Sequence, residues 1–327
     1  MNTEELKSLK VVVLCGGWSD EREVSITSGT ECKKALEGYG FQKVDLLDIA
    51  EPAFAEKLAR GGYDVAFPAL HGRYGEDGCI QGMLEVMHIP YAFSGVYASA
   101  VATQKEAAKV LFEKAGLRVP RGVDLAPATK LTQEQKDALV DELGLPLFVK
   151  PSGNGSSFGI TRVTEKSQLQ GAVDLAGATG ERVLVEECVE GTEITVPVIG
   201  NDDPPHALPI VEVVTGAEFY DAKVKYEPAE LHHVIPARLA PAVYAKAQSA
   251  AEKAHKALGC AGCSRSDFIV TAMGEPVILE TNTIPGMTPA SLLPDSARHG
   301  GIEFGELCAK FVELAVQKST SLQADGE

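Results

Sequence analysis

The chain has 327 residues, more than one ordinary hydrophobic core holds, which predicts two or three domains. Its 46 acidic and 30 basic residues give a formal net charge of −16, so we expect neither nucleic acid nor anionic membranes as partners. No segment approaches the ~20 apolar residues that span a membrane, and the first ten residues lack the apolar core of a signal peptide. A polyanionic ligand would have to bind through a few local cations and a metal ion.

The seven cysteines are spread along the chain without the spacings of a disulfide framework, as is typical of a reducing compartment. Cys260 and Cys263 form a C-x-x-C motif, but neither a second pair nor a histidine cluster accompanies it. We therefore favour buried structural thiols over a redox or zinc site. The sequence predicts a cytoplasmic protein.

The first hundred residues alternate between apolar strands and amphipathic helices. Strands are predicted at 11–14, 43–47 and 64–70, and helices at 21–36, 53–60 and 79–87. This alternation predicts right-handed crossovers and a mainly parallel sheet. Ligands of such sheets bind beyond the carboxyl ends of the strands. Two polar clusters, at 17–22 and 71–77, follow strands and are expected at that edge.

The pattern changes after a helix predicted at 105–115, which Gly116 and Pro120 terminate. The next unit is predicted to be antiparallel, with strands at 146–150, 159–163 and 183–187 and a helix at 166–176. A third unit begins near Gly191. It contains a strand, a long helix, a hairpin and a last helix, predicted at 193–199, 241–258, 264–282 and 304–316.

Three oxygen-bearing side chains are predicted to share one face of the hairpin. If a turn at 273–276 closes symmetrically, Asp267 lies opposite Asn282, and Glu280 shares their face because side chains alternate along a strand. Oxygen ligands from few residues suit magnesium bound to substrate phosphates. Ordinary solvated acids on a hairpin would give the same pattern. Arg265 falls on the same face, however, and a plain acidic patch does not require it.

A second candidate site is the segment 150–159, in which Lys150 ends a strand and a loop rich in glycine and serine follows. Glycines allow backbone N–H groups to approach phosphate oxygens, and serine hydroxyls add donors. The segment matches neither the dinucleotide fingerprint nor the Walker pattern, so this motif alone also fits a plain surface turn. The segment 16–18 lacks the dinucleotide fingerprint as well, which argues against an NAD enzyme.

The two polar clusters at the expected sheet edge have both plain and functional interpretations. Ser19 is a reasonable N-cap, and Glu21 suits a first helical turn because the helix dipole favours acids there. That interpretation leaves Arg22 unexplained. His71 begins a polar, glycine-rich loop; a lone histidine is usually structural, but loops at strand ends commonly carry function.

Taken together, these segments resemble D-alanine–D-alanine ligases of the ATP-grasp superfamily over nearly the whole chain. The matching segments, in order, are 16–25, 70–78, 150–159, 219–226 and 280–288. The resemblance implies an α/β and α+β fold, with an N-terminal Rossmann-like parallel-sheet domain followed by a two-part ATP-grasp fold. The implied divisions are an N-terminal substrate-binding domain at 1–104, a central subdomain at 105–190 and a C-terminal catalytic subdomain at 191–327.

The resemblance implies ATP-dependent ligation of two D-alanines to D-alanyl-D-alanine through a D-alanyl phosphate, for peptidoglycan precursor synthesis. ATP would bind at Lys105, Lys150, Ser157, Glu186, Val189, Glu193 and Lys225. Two Mg²⁺ ions, which Mn²⁺ can replace, would be bound by Asp267, Glu280 and Asn282. A homodimer is implied by the family.

Roles in substrate binding and catalysis are also implied by the resemblance. Glu21 would pair with the ammonium of the first D-alanine, with His71 nearby. Ser291 and the backbone near Gly286 would hold the carboxylate of the second D-alanine. Arg265 would stabilise the tetrahedral oxyanion, a charge that arises only in the transition state.

Tyr226, Ser156 and Glu21 would form a hydrogen-bonded group that links a loop at 220–226 to the N-terminal domain and shields the acyl phosphate from water. Tyr226 also favours an amine nucleophile, since relatives that make D-alanyl-D-lactate typically have phenylalanine there. A D-alanyl-D-lactate ligase and another ATP-grasp carboxylate–amine ligase remain alternatives. A non-catalytic binding module is a third, which the loss of Arg265, Lys150 or a metal ligand would have favoured.

Overall fold

The structure is a computed structural model that describes residues 1–153, 159–201, 204–215 and 231–324. Its α-helices within these ranges are α1 Thr3–Ser8, α2 Arg22–Tyr39, α3 Phe54–Arg60, α4 Cys79–Val86, α5 Val96–Ala102, α6 Lys105–Lys114, α7 Gln133–Leu143, α8 Leu169–Ala176, α9 Pro241–Leu258, α10 Leu292–His299 and α11 Phe304–Ala324. Its strands are β1 Lys10–Cys15, β2 Lys43–Asp48, β3 Val65–Pro68, β4 Gly122–Leu125, β5 Leu147–Pro151, β6 Thr161–Val163, β7 Val183–Glu187, β8 Thr192–Ile199, β9 His206–Ala207, β10 Val211–Thr215, β11 Leu231–Val234, β12 Cys263–Val270 and β13 Pro276–Asn282.

The amino-terminal sheet is parallel, as predicted, with strand order β2-β1-β3. The central strand β1 is buried on both faces, which explains its unbroken apolar sequence. The helix after β1 was predicted at 21–36 but continues to Tyr39, where Gly40 ends it in the left-handed conformation with φ +113°. The strand predicted at 64–70 is shorter, because the chain leaves the sheet after Pro68.

The antiparallel unit predicted in the middle of the chain is confirmed as a four-stranded sheet with order β4-β7-β5-β6. Helices α7 and α8 contribute leucine, valine and alanine side chains to one core with β5 and β7. In β5 and β7, Phe148 lies opposite Glu186 and Lys150 opposite Leu184. Since alternate residues of a strand share a face, Lys150 and Glu186 project from the same side of this sheet.

The largest sheet is antiparallel, with strand order β11-β10-β8-β12-β13 and β9 paired to β8. Helix α9 packs on it through alanines, and α5 and α6 add to the same core. The mixture of one parallel and two antiparallel sheets confirms the predicted α/β and α+β fold class.

One hydrophobic core joins the two ends of the chain. It contains β1, β3 and α2 from the amino-terminal part and α10 and α11 from the carboxyl-terminal part. Phe93 lies between Phe67 and Phe311, with each pair of ring centroids 5.1 Å apart. The division of the chain at 104 and 190 stays a prediction.

All seven cysteines are free thiols. Cys260 and Cys263 are both buried, and burial raises the pKa of Cys260 to about 12, which supports buried thiols as the interpretation of the C-x-x-C motif. Within the described ranges, none of the helices is long and apolar enough to cross a membrane.

Candidate active site

The hairpin formed by β12 and β13 places its acidic side chains on one face, but in a different register from the predicted one. Arg265 lies opposite Asn282 and Asp267 opposite Glu280. The predicted pairing of Asp267 with Asn282 is therefore wrong. The connecting loop occupies 271–275, not the predicted 273–276, and this shifts the pairing of the two strands by an odd number of residues. Such a shift by itself would turn Glu280 and Asn282 to the other face of the hairpin. A β-bulge after Asp267 shifts the register by one more residue and restores the shared face.

Each acidic side chain of this face has a basic partner. The Arg265 Nε and Nη2 atoms donate to the two Asp267 carboxylate oxygens at 3.1 and 3.0 Å. Thr195 on β8 donates its hydroxyl to the same carboxylate. Lys105, at the start of α6, places its Nζ 3.2 Å from Glu280 Oε2, and this ammonium lowers the pKa of Glu280 to about 2.

A second buried charge cluster lies on the middle sheet, beside the first. Lys150 places its Nζ 2.7 Å from Glu186 Oε2, and Lys109 of α6 forms an ion pair with the other oxygen of the same carboxylate. Burial, together with the nearby Lys105 ammonium, lowers the pKa of Lys150 to about 8. Sequence reasoning missed Lys109, although its position one helical turn after Lys105 predicts that both side chains share a face of α6.

Glu193 of β8 is paired with Ile269 of β12, near the acidic hairpin face. Burial, followed by repulsion from Asp267 and Glu280, raises the pKa of Glu193 to about 7. Three carboxylates are thus close enough to influence one another. Val189 lies half-buried between the ends of β7 and β8.

A cavity of about 470 Å³ separates the amino-terminal loops from the charged groups of α6 and β13. Among the predicted site residues, it brings together Glu21 on one wall with Lys105, Glu280 and Asn282 on the other. The exposed Trp18, the single tryptophan of the chain, lies at the same cavity and packs edge-to-face on Tyr74.

Glu21 occupies the N-cap position of α2, so the predicted N-cap Ser19 is wrong. Ser19 instead donates its hydroxyl to the His71 carbonyl at 2.7 Å, which ties the loop after β1 to the loop after β3. Arg22, unexplained by the sequence, donates to both carboxylate oxygens of Asp48 at the end of β2 and to the Gly17 carbonyl at 2.8 Å. These contacts hold the segment that carries Glu21.

His71 is buried, with its Nε2 3.1 Å from Ser28 Oγ and its Nδ1 3.8 Å from Glu76 Oε1. The next residue, Gly72, has φ +72°, and a Cβ there would lie 3.2 Å from Glu21 Oε2. The structure therefore brings Glu21 to the backbone that follows His71. The roles of both residues in binding the first D-alanine stay predictions.

Ser291 and Gly286 adjoin each other at the start of α10. Ser291 Oγ accepts the Thr288 N–H at 3.1 Å and lies 2.8 Å from Thr288 Oγ1. A Cβ at Gly286 would lie 3.1 Å from Ser291 Oγ, so a glycine at this position avoids a close contact with that hydroxyl. Ser156, Ser157, Lys225 and Tyr226 lie outside the described residues, and their roles stay predictions.

The donor set on the hairpin face fits a divalent cation by its chemistry. Two carboxylates and one amide oxygen are hard ligands, and a cation would relieve the repulsion that raises the pKa of Glu193. The Asn282 side-chain oxygen also accepts the Ile284 N–H at 2.8 Å, which fixes the amide orientation. In the described part of the chain, no group of three or more His, Cys, Asp and Glu residues is arranged to hold a metal ion.

Comparisons with known proteins agree along the whole chain. The family model described as D-ala D-ala ligase C-terminus matches residues 111–313, and the model of the D-ala D-ala ligase N-terminus matches residues 48–94. The D-alanine–D-alanine ligase of Geotalea uraniireducens is 45% identical over 319 residues, which are 97% of this chain and 99% of that protein. The enzyme of the same name from Citrifermentans bemidjiense is 44% identical over 318 residues, 97% of this chain and 100% of that protein.

A solved structure has the same fold. The crystal structure of the D-alanine–D-alanine ligase of Bacillus anthracis complexed with ATP superposes with a TM-score of 0.82 at 30% sequence identity. The match covers 96% of this chain and 99% of that one. With both family models, near-complete relatives and the whole fold in agreement, the chain belongs to the D-alanine–D-alanine ligase family.

Proposed function

We propose that this protein joins two D-alanines in an ATP-dependent reaction that produces D-alanyl-D-alanine, ADP and phosphate, for the synthesis of peptidoglycan precursors. The observation that carries the proposal is the cavity with Glu21 on one wall and Lys105, Glu280 and Asn282 on the other. A carboxylate suits the ammonium of an amino acid, and a lysine beside metal-binding oxygens suits a polyphosphate. One cavity therefore offers sites for both substrates.

In the first step, the carboxylate of one D-alanine attacks the γ-phosphorus of ATP, the bond to the β-phosphate oxygen breaks, and ADP leaves. Glu21 orients the amino acid by pairing with its ammonium. Lys105 and Lys150 bind the phosphates, and their positive charge offsets the negative charge of the leaving ADP. Glu186, Val189 and Glu193 lie on and between β7 and β8, and we assign them to the adenine and ribose.

In the second step, the amine of the second D-alanine attacks the acyl carbon, and phosphate leaves after the tetrahedral intermediate. Arg265 lies on the hairpin face beside Asp267 and supplies N–H donors to the developing oxyanion. Ser291, whose hydroxyl lies beside Gly286, holds the carboxylate of the second D-alanine. The amine must lose a proton to attack, and the acyl phosphate must be kept from water.

Asp267, Glu280 and Asn282 would hold Mg²⁺, or Mn²⁺ in its place, and we propose two ions as in the resemblance. The metal would neutralise phosphate charge and align the β- and γ-phosphates. Lys105 already contacts Glu280, so phosphate and metal ligands meet at this residue.

We further propose a cytoplasmic homodimer. The substrate ATP and the seven free cysteines suit a reducing, ATP-containing compartment. The proposed chain division is a substrate-binding domain at 1–104, a central ATP-grasp subdomain at 105–190 and a catalytic subdomain at 191–327.

The test is ATP-dependent phosphate release by the purified protein with magnesium and D-alanine, L-alanine, or D-alanine plus D-lactate, followed by separation of the products. We expect phosphate and D-alanyl-D-alanine from D-alanine alone, and no product from L-alanine. D-Alanyl-D-lactate as the main product would instead favour the alternative ligase and contradict the role given to Tyr226. ATP binding without phosphate release would move the substrate to another amino-acid pair.

A further inference from the structure

Lys109 has no role in the function proposed above, yet it is a buried lysine beside the proposed ATP site. It is 7% exposed, lies one turn after Lys105 on α6, and forms an ion pair with Glu186. Burying an ammonium group costs several kcal/mol unless a partner compensates it. The burial of Lys109 therefore depends on its pairing with Glu186.

The Glu186 carboxylate is shared between two lysines. One oxygen contacts Lys150 Nζ at 2.7 Å and the other faces Lys109, while the side chain itself is 3% exposed. Gly122 lies opposite Glu186 on β4, and a Cβ there would come within 2.9 Å of Glu186 Cγ. The Glu186 carboxylate is thus confined, and its two lysine partners compensate for the cost of removing it from water.

The lysines of this cluster lie close to one another as well as to the carboxylates. Lys105 faces Glu280, while Lys109 and Lys150 face Glu186. Burial, followed by repulsion from Lys150 and Lys105, lowers the pKa of Lys109 to about 6. When Lys150 binds a phosphate, Lys109 is the lysine that remains beside Glu186. Without Lys109, binding a phosphate through Lys150 would leave Glu186 buried without a lysine partner.

We propose that Lys109 is a positioning residue that holds Glu186 so that Lys150 can leave this carboxylate and bind the phosphates of ATP. The inference rests on the proposed function in taking ATP as the nucleotide and Lys150 as a ligand of its phosphates. In this proposal Lys109 does not contact ATP. Lys109 acts only by holding Glu186, whereas a general attraction between a lysine and a polyanion would not require Glu186.

The test measures the binding of a non-hydrolysable ATP analogue by calorimetry, with magnesium and without D-alanine, for the single and double variants of Lys109 and Glu186. We expect Lys109→Met to weaken binding about tenfold in the wild-type background, the scale of one charged hydrogen bond. In a Glu186→Gln background the same change should have less than about a twofold effect, since no carboxylate then holds Lys150. Lys109→Arg should restore affinity, and Lys114→Met, on the exposed side of the same helix, serves as the matched control.

Equal weakening in both backgrounds would mean that Lys109 acts by direct attraction and would overturn the proposal, as would unchanged affinity in Lys109→Met. If the methionine variant does not fold, judged by its thermal midpoint, Lys109→Gln takes its place in the same cycle. Because the assay omits D-alanine, a failure of the proposed ligation, seen as ATP binding without dipeptide, is distinguishable from a failure of the role of Lys109.

Discussion

At the residue scale, the bidentate contact between Arg265 and Asp267 fixes the orientation of a largely buried guanidinium. Two parallel N–H donors fix its plane, and Thr195 fixes the carboxylate in turn. We expect Arg265→Ala to lower kcat about 10²–10³-fold, because an oxyanion donor acts only in the transition state. ATP affinity should change little, as measured by equilibrium binding beside steady-state kinetics.

The matched control is Arg60→Ala. Arg60 forms an ion pair with Glu56 on α3, and the two side chains are 80% and 61% exposed. An exposed pair of this kind contributes about 0–1 kcal/mol to stability, so turnover should stay near that of the wild type. Turnover of Arg265→Ala within a few-fold of the wild type would exclude the oxyanion role.

The sequence pointed to charged residues that the structure brings together, but not to all of their contacts. Glu280 and Arg265 followed from the alternation along the hairpin and Lys105 from the resemblance, whereas the ion pair of Lys105 with Glu280 depends on how α6 packs beside β13. Lys109 was missed because no local sequence motif contains both Lys109 and its partner Glu186. The helical spacing from Lys105 points toward it, but its partner lies 77 residues away on β7.

At the element scale, the hairpin shows why a correct face followed from an incorrect register. Alternation along β12 and β13 is a local property that the sequence reveals, but alternation fixes neither the loop length nor the position of the bulge. The loop and the bulge each shift the strand pairing by an odd number of residues, so together they leave Asp267 and Glu280 on the same face. The helix α7 was missed although Thr132 and Gln135 form a capping box, a signal that is readable in the sequence.

His255 supports a pH prediction for the contact of α9 with the large sheet. Its Nδ1 lies 2.8 Å from Ser264 Oγ and its Nε2 3.1 Å from the Gly200 carbonyl, an arrangement that suits the neutral ring. Burial lowers its pKa to about 4 from the usual 6.5. Between these values the unfolded chain binds more protons, so stability falls as the pH falls from 6.5 to 4.

The expected loss of unfolding free energy from His255 is about 3 kcal/mol over that window. Urea unfolding at pH 4, 5, 6 and 7 measures it, and His255→Gln should flatten the slope while lowering stability at pH 7. The control His206→Gln replaces an exposed histidine and should leave the slope unchanged. A wild-type slope retained in His255→Gln would assign the acid sensitivity to other groups.

At the scale of the whole molecule, the carboxyl-terminal helix completes the core of the amino-terminal sheet. Phe311 of α11 stacks edge-to-face on Phe93, which in turn stacks on Phe67 of β3. A sequence shows that 304–316 is an apolar-faced helix, but not that its partner lies more than two hundred residues earlier. Long-range pairing of this kind follows from the topology, which is why sequence-based divisions do not reveal it.

We therefore expect Phe311→Ala to destabilise the amino-terminal part of the molecule, not only its own helix. The cost should be about 3–5 kcal/mol, because the change opens a cavity among fully buried rings. Trp18, the single tryptophan, follows β1 and reports on this part through its fluorescence during denaturant unfolding. Its midpoint should shift strongly in Phe311→Ala and little in Tyr97→Ala, where the replaced side chain is 62% exposed. If the Trp18 transition is unchanged while the helix signal is lost early, the two ends of the chain unfold independently, and the shared core does not couple them.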